Sequence, residues 1–155
     1  MGEMRLAPVA RGLLTYFPAL NDLIPSKSVG HTDSASYCYR VWMRHLTLLR
    51  EYGLERIPDT VAELGPGESL GVGICALLSG ANHYVGLDVV AYSNPERNQR
   101  ILKELLPMFL NRAPYDDKGW PDVSSYLDAN QFPSHILTEQ ALQQSLNSDR
   151  VEAIR

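Results

Sequence analysis

Cysteine is scarce in this chain. Cys38 and Cys75 are the only two, too few for a disulfide framework and not spaced as a metal-binding pair. Reduced thiols in a cytoplasmic protein are the expectation. Long apolar runs are missing as well, and none approaches the ~20 residues that a membrane helix needs. The opening Met1-Gly-Glu-Met-Arg-Leu-Ala-Pro-Val-Ala carries Glu3 early and is broken by Pro8 and Arg11, a poor secretory signal. Leu6 stands where a myristoylation start wants Ser or Thr. Positive charge is in deficit, with 14 Lys and Arg against 18 Asp and Glu and a net charge of −4. That disfavours a phosphate-driven grip on nucleic acid, which needs clustered cations. The nearest cluster, Arg40, Arg44 and Arg50, is soon followed by Glu51 and Glu55. His31, His45, His83 and His135 show no ligand spacing, so no metal site is expected.

What is present is an ordinary globular composition: 155 residues, 45% hydrophobic and 21% charged, enough for one domain with one core. Residues 1–33 read as an N-terminal extension with a mostly apolar, helical stretch at 13–24, and residues 34–155 as the domain. Asp33 or Ser34 can cap a helix over 36–52. In it Cys38, Val41, Trp42, His45, Leu49 and Tyr52 form one stripe, with Arg40, Arg44, Thr47 and Glu51 on another side. Gly53 sits where a C-terminal cap belongs. Trp42 reads as core. Residues 60–64 and 84–87 read as short buried strands, and 69–78 as a helix between them containing a small buried Cys75. Pro95 opens a further helix after Asn94, which Pro107 breaks or bends. Residues 112–133 read as an irregular connection whose aromatics (Tyr115, Trp120, Tyr126, Phe132) serve either as a substrate lid or as loop packing. Residues 134–155 return to helix.

The informative segment is 61–92, a strand, a glycine turn (Gly65-Pro66-Gly67), a helix and a second strand. That order places backbone N–H groups and a helix N-terminus at one end of a parallel sheet, a nucleotide-cofactor layout. Gly65 can take backbone angles closed to other residues, Gly67 lets a ligand lie against bare backbone, and Pro66 stiffens the turn. A triphosphate-cradling loop needs Gly-Lys-Ser or Gly-Lys-Thr, and no Lys occurs between Lys27 and Lys103. A dinucleotide fingerprint wants a small residue where Leu70 stands. The formal match at Gly71, Gly73 and Ala76 lies inside the helix, where small residues suit close packing.

What remains is Glu63-Leu-Gly65-Pro-Gly67-Glu-Ser69, followed after the next strand by Asp88. It resembles the first motif of class I S-adenosylmethionine-dependent methyltransferases, Asp/Glu-x-Gly-x-Gly-x-Gly, with Ser69 replacing the third glycine. The run 62–90, preceded by the aromatic-rich Tyr37-Cys-Tyr-Arg-Val-Trp-Met-Arg-His-Leu46, is similar to one bacterial group of that family, and the likeness is specific over about residues 36–110. The resemblance implies a Rossmann-like α/β fold with S-adenosyl-L-methionine as cofactor. It implies that Glu63 meets the methionine moiety directly or through water, that Gly65, Pro66 and Gly67 make room for it, and that the helix N-terminus at Ser69 favours its carboxylate. Asp88 would accept both ribose hydroxyls, and Tyr37 and Arg40 would line the pocket.

Blander readings stand beside these: Glu63 as a turn cap, Asp88 as a cap or turn residue, Tyr37 as packing and Arg40 as a solvated charge. The family's later parts, an acid after a third strand and a substrate loop after a fourth, have no counterpart here. The expectation is therefore a truncated Rossmann-like methyltransferase fold, an N-terminal portion able to hold cofactor and incomplete for catalysis. Its catalytic residues and methyl acceptor cannot be named. Two parallel strands would leave Val61 and Val85 poorly sheltered, so the chain is expected to be marginal in stability or to self-associate through open sheet edges. The alternatives are a non-catalytic binding module built on the half-fold, and a fragment of a nicotinamide- or flavin-dependent oxidoreductase.

Overall fold

A computed structural model describes residues 31–115 and 122–155. The expected N-terminal extension, with its apolar stretch at 13–24, lies almost wholly outside the described residues, as does Trp120. The order is helix α1 (Ala35–Glu51), strand β1 (Thr60–Leu64), helix α2 (Gly71–Leu78), strand β2 (His83–Leu87), helix α3 (Pro95–Leu110), a 3-10 turn (Ser124–Tyr126), and two short helices, α4 (Glu139–Ser145) and α5 (Ser148–Ile154). The result is a mixed helix and strand domain around a two-stranded parallel sheet, with Thr60 opposite His83 and Leu64 opposite Leu87. The β1–α2–β2 crossover follows the expectation.

Ser34, not Asp33, caps α1: its hydroxyl accepts the Tyr37 N–H at 3.3 Å. Gly53 ends the helix at φ +88°, a left-handed conformation that suits glycine. The buried face corrects the expected stripe. Ala35, Cys38, Tyr39, Trp42, Met43, Leu46 and Thr47 are buried, whereas His45, Leu49 and Tyr52 are exposed. The face is turned because α1 packs on both α2 and α3. Thr47 tolerates full burial because its hydroxyl lies 3.0 Å from the carbonyls of Met43 and Arg44, a donor satisfied within its own helix. Trp42 is core as expected, and its indole N–H donates to Ser79 Oγ at 2.7 Å.

The first crossover helix begins at Gly71 rather than Ser69 and is buried nearly all round. Two glycines permit this. A Cβ on Gly71 would overlap the Cys38 sulfur of α1, and a Cβ on Gly73 would overlap the Tyr84 ring of β2. Cys75 is wholly buried, and burial raises its thiol pKa, so it is an inert packing residue. Asn94 caps α3, accepting the Arg97 N–H at 2.8 Å, with Pro95 in the first turn. Pro107 does not end this helix. The apolar stripe Ile101, Leu102, Leu105 and Phe109 stays buried across it and carries the helix one further turn, so the missing N–H falls near the end of the helix, where few bonds depend on it.

Beyond α3, Tyr115 and Phe132 are fully buried, which assigns these two aromatics to loop packing. Tyr39 secures the connection by donating to the Ala113 carbonyl at 2.7 Å while its ring meets Phe109 edge-on at 5.3 Å. Asp128 accepts the N–H groups of Asn130 (2.8 Å) and Phe132 (3.0 Å) and the Ser134 hydroxyl. The bond from Ser134 is the main reason its carboxyl is held below the usual range. The expected single C-terminal helix is two helices, because Asn147 leaves helical angles and caps α5 by accepting the Arg150 N–H at 2.9 Å. Arg150 then donates to Asn82 Oδ1 (3.1 Å) and to the carbonyls of Leu77 (3.2 Å) and Ala81, fastening α5 to the end of α2. No helix among the described residues is long and apolar enough to cross a membrane, and no cluster of His, Cys, Asp or Glu there is arranged to hold a metal.

The described residues cover one face of the sheet. Val61, Glu63 and Tyr84 face the helices and are half-buried, so Val61 is better sheltered than expected. On the other face Leu64 is 83% exposed, Leu87 54% and Val85 44%.

The glycine contact gives a stability prediction with a sign reversal. Gly73→Ala gains ~1 kcal/mol of helix propensity but meets the Tyr84 ring, and overpacking costs ~1–3 kcal/mol. Urea denaturation is expected to show net destabilisation in the native background and net stabilisation in a Tyr84→Ala background. A second prediction concerns acid. The depressed Asp128 carboxyl stabilises the fold above its unfolded-state pKa of ~4, and that contribution is lost as pH falls through the lower folded value. Asp128→Asn is therefore expected to lower the melting temperature at pH 7, and the gap from the unsubstituted chain should close as acid protonates the folded-state carboxyl.

Candidate functional site

The carboxyl ends of β1 and β2 lie side by side, since Gly65 N–H continues the ladder to the Leu87 carbonyl at 2.7 Å. The glycine turn leaves β1 here. Gly65 and Gly67 hold φ of +72° and +74°, and both need the conformational freedom assigned to them. A Cβ on Gly65 would meet nothing within 4 Å, so that backbone is open on one side. A Cβ on Gly67 would lie 3.2 Å from Thr32 Oγ1. Pro66 is buried between them, with Cγ 3.4 Å from where a Cβ on Gly86 would stand.

Asp88 folds back onto the turn. Its Oδ2 accepts the Gly67 N–H at 3.1 Å, and its Oδ1 accepts the N–H groups of Val89 (2.7 Å) and Val90 (3.4 Å). The carboxylate therefore acts as a turn cap, and it remains exposed. Glu63 is half-buried at the end of β1, and its Oε2 accepts the Tyr84 hydroxyl at 2.6 Å. Tyr84 lies across the floor of the site, its ring against Gly73 and its hydroxyl beside Gly86. Burial, and then the Glu63 carboxylate, push its phenol pKa well up, so Tyr84 stays a donor to Glu63.

The start of α2 is tied down by the chain itself. Glu68 N–H donates to Thr32 Oγ1 at 2.9 Å, Leu70 N–H to Asn98 Oδ1 at 3.0 Å, and Gly71 N–H to Ser69 Oγ at 3.1 Å. Ser69 is buried and donates to the Thr32 carbonyl. Arg97 donates to the Glu68 carbonyl at 2.7 Å, so α3 also braces the turn. Cys38 lies within 4.0 Å of Ser69 Oγ, and burial raises its thiol to about 11, which removes it as a nucleophile at neutral pH. A cleft of about 270 Å³ opens beside the turn, lined by Leu70, Ile74, Tyr84, Pro95, Asn98 and Leu102 among others.

Of the residues singled out in the sequence, Glu63, Gly65, Pro66, Gly67, Ser69 and Asp88 come together at this end of the sheet. Tyr37 and Arg40 do not join their hydrogen bonds among the described residues. Tyr37 is half-buried with its ring edge-on to His31 at 5.8 Å, and Arg40 is exposed on α1. Sequence reasoning missed Thr32, Tyr84, Asn98 and Arg97. Only Tyr84 left a trace: a large aromatic on β2 matched by glycines at 73 and 86, which make the space it fills. Comparison with protein-family models, with curated proteins and with solved structures returned no match.

The Tyr84–Glu63 bond carries a prediction. Tyr84→Phe keeps the ring and removes the donor, which is expected to cost about 1 kcal/mol of stability by chemical denaturation. The raised phenols of Tyr84 and Tyr39, both pushed up chiefly by burial, stabilise the fold below the unfolded tyrosine pKa of ~10, and this is lost as pH rises above it. In an alkaline titration followed by tyrosinate absorbance, these two are expected to ionise only as the chain unfolds.

Proposed function

We propose that this end of the sheet is the cofactor-binding half of an S-adenosylmethionine-dependent methyltransferase site on a Rossmann-like half-fold. The observation that carries the reading is the pairing of Glu63 and Asp88. Two carboxylates at the carboxyl ends of adjacent parallel strands flank a turn whose two glycines are both at positive φ. Ligands of α/β sheets bind outside the carboxyl ends of the strands. The residues fit such a cofactor: Gly65 presents bare backbone with open space beside it, Asp88 is exposed, and Glu63 is held in a fixed orientation by Tyr84.

When bound, the cofactor supplies a methyl group already activated on a sulfonium. This chain's residues have the task of holding it. Asp88 accepts the ribose hydroxyls, and Glu63 receives the methionine ammonium directly or through water. The absence of lysine around the turn suits a ligand without phosphates. Binding energy spent on orientation is what methyl transfer chiefly requires.

One observation favours a second reading, a binding module without chemistry. The N–H groups of Gly67, Glu68, Leu70 and Gly71 are already taken by Asp88, Thr32, Asn98 and Ser69. The turn is thus a closed structural unit that needs no ligand to satisfy it.

Calorimetric titration of the full chain with S-adenosylhomocysteine and, separately, with reduced nicotinamide dinucleotide decides among these. Binding of the first alone, weakened at least ~10-fold by Glu63→Gln with unchanged circular dichroism, is the expected result. Binding of the second alone supports an oxidoreductase fragment, and binding of neither supports the module.

A further inference from the structure

A cavity of about 470 Å³ lies at the opposite end of the sheet from the glycine turn. Its lining comes from the loop after α1, the end of α2 and the helices α4 and α5. The amino ends of the strands are joined beside it, where the Asp59 carbonyl accepts the N–H groups of Asn82 (2.8 Å) and His83 (3.0 Å). That volume suits a small organic molecule. Two observations mark it as more than a packing gap. His135 Nε2 and Arg150 Nε are the buried side-chain atoms that lack a hydrogen-bond partner among the described residues, and both residues line this cavity. Buried polar groups are ordinarily paired, so an orphan calls for an explanation, a bound group among them. The second observation is unbalanced charge. Arg150 meets Asn82 Oδ1 and the carbonyls of Leu77 and Ala81, none of them an anion. Arg56 is exposed, with no ion pair among the described residues.

We propose that this cavity binds a small organic monocarboxylate, its anionic head between Arg56 and Arg150. Glu55 is the one acid among the described lining residues, so with His135 neutral the two guanidinium groups leave a single surplus positive charge. That balance favours a monoanion over a phosphate dianion. His135 stays neutral at pH 7 because burial, and then the nearby Arg50 charge, hold its pKa below the usual value. Outside the lining, Asp59 is engaged by Asn82 Nδ2 at 2.6 Å, and Arg50 supplies a charge of opposite sign. The planar guanidinium fork matches a carboxylate and forms charge-assisted hydrogen bonds with it. Ile57 and Ile136 give the wall an apolar part for a hydrocarbon body. Arg150 already fastens α5 to the end of α2, so its position is set before any ligand arrives, and Arg56 is the free arm. The cavity uses neither Glu63 nor Asp88, so the proposal stands apart from the cofactor reading.

Amide and guanidinium NMR shifts of the full chain, read at constant ionic strength, test this with acetate, isovalerate and benzoate as probes. At least one is expected to shift Gly80, Gln144 and the Arg56 side chain saturably below about 50 mM, at concentrations where benzamide and inorganic phosphate leave them unmoved. Arg56→Gln is expected to weaken that binding at least ~10-fold and Glu55→Gln to tighten it, since both residues are exposed and carry opposite charge. No saturable shift with any of the three carboxylates overturns the proposal. So does equal binding of benzamide, which makes the cavity a neutral pocket, or tighter binding of phosphate, which reassigns its anion. Binding that ignores both substitutions places the anion elsewhere and overturns the proposal too. Should Arg56→Gln alter the circular dichroism, the direction of the Glu55→Gln effect decides alone. Tighter binding then supports the site, and unchanged or weaker binding rejects it.

Discussion

The close approach of α2 to the sheet is the constraint on which the rest of the molecule depends. Gly73 has no Cβ, so the Tyr84 ring can lie flat against the helix, and Gly86 leaves room for its hydroxyl end. With the ring in that slot its hydroxyl reaches Glu63, and Glu63 fixes the end of β1 where the glycine turn begins. Gly71 plays the same part toward α1, seating Cys38 beside Ser69 and so bringing Thr32 over the turn. A larger residue at 71 or 73 would separate helix, sheet and turn together. Helix propensity alone would have favoured alanine at both positions, and its weight of ~1 kcal/mol is less than the contacts that glycine makes available.

Thr32, Asp88 and Asn98 come from three separate parts of the chain, and each has a side-chain oxygen that accepts a backbone N–H of the turn or of the start of α2. Buried or half-buried N–H groups left without such acceptors cost ~1–3 kcal/mol each. Asp88 has a double bearing: its carboxylate secures the turn, and it is also the exposed acid at the end of β2. A group can serve both purposes because each carboxylate oxygen accepts more than one hydrogen bond. Rigidity obtained in this way lowers the ordering cost of binding, which is the general benefit of preorganisation.

Much of the β1–α2–β2 unit was legible because its signals are local. Gly65 and Gly67 announce positive φ, Asn94 and Pro95 announce a helix start, and a five-residue apolar strand needs no distant information. The buried face of α1 was misjudged because it depends on two packing partners, and periodicity cannot say how far a stripe is turned toward the second. Thr47 followed, since a hydroxyl that bonds its own helix is indistinguishable in sequence from one that faces water. Pro107 reads as a breaker in isolation, but the buried Phe109 outweighs a missing bond in the last turn. Asn147 divides the C-terminal segment by a cap that competes with continued helix over a single residue. In the site, Glu63 and Asp88 could be found because they end strands. Thr32 and Asn98 could not, because their roles come from tertiary placement of ordinary polar residues.

The half-covered sheet links these observations. One face is held by glycines, an aromatic and a helix buried nearly all round, so the strands cannot twist or slide without unseating Tyr84. The other face gains nothing from any described residue, and Leu64 and Leu87 stand in water on strands that the first face keeps rigid. A flexible apolar surface could collapse on itself. Side chains fixed on paired strands cannot, and their hydrophobic free energy is gained only where another surface meets them. The turn and its carboxylates hang from the ends of the same strands, so the packing that seats Tyr84 also positions Glu63 and Asp88.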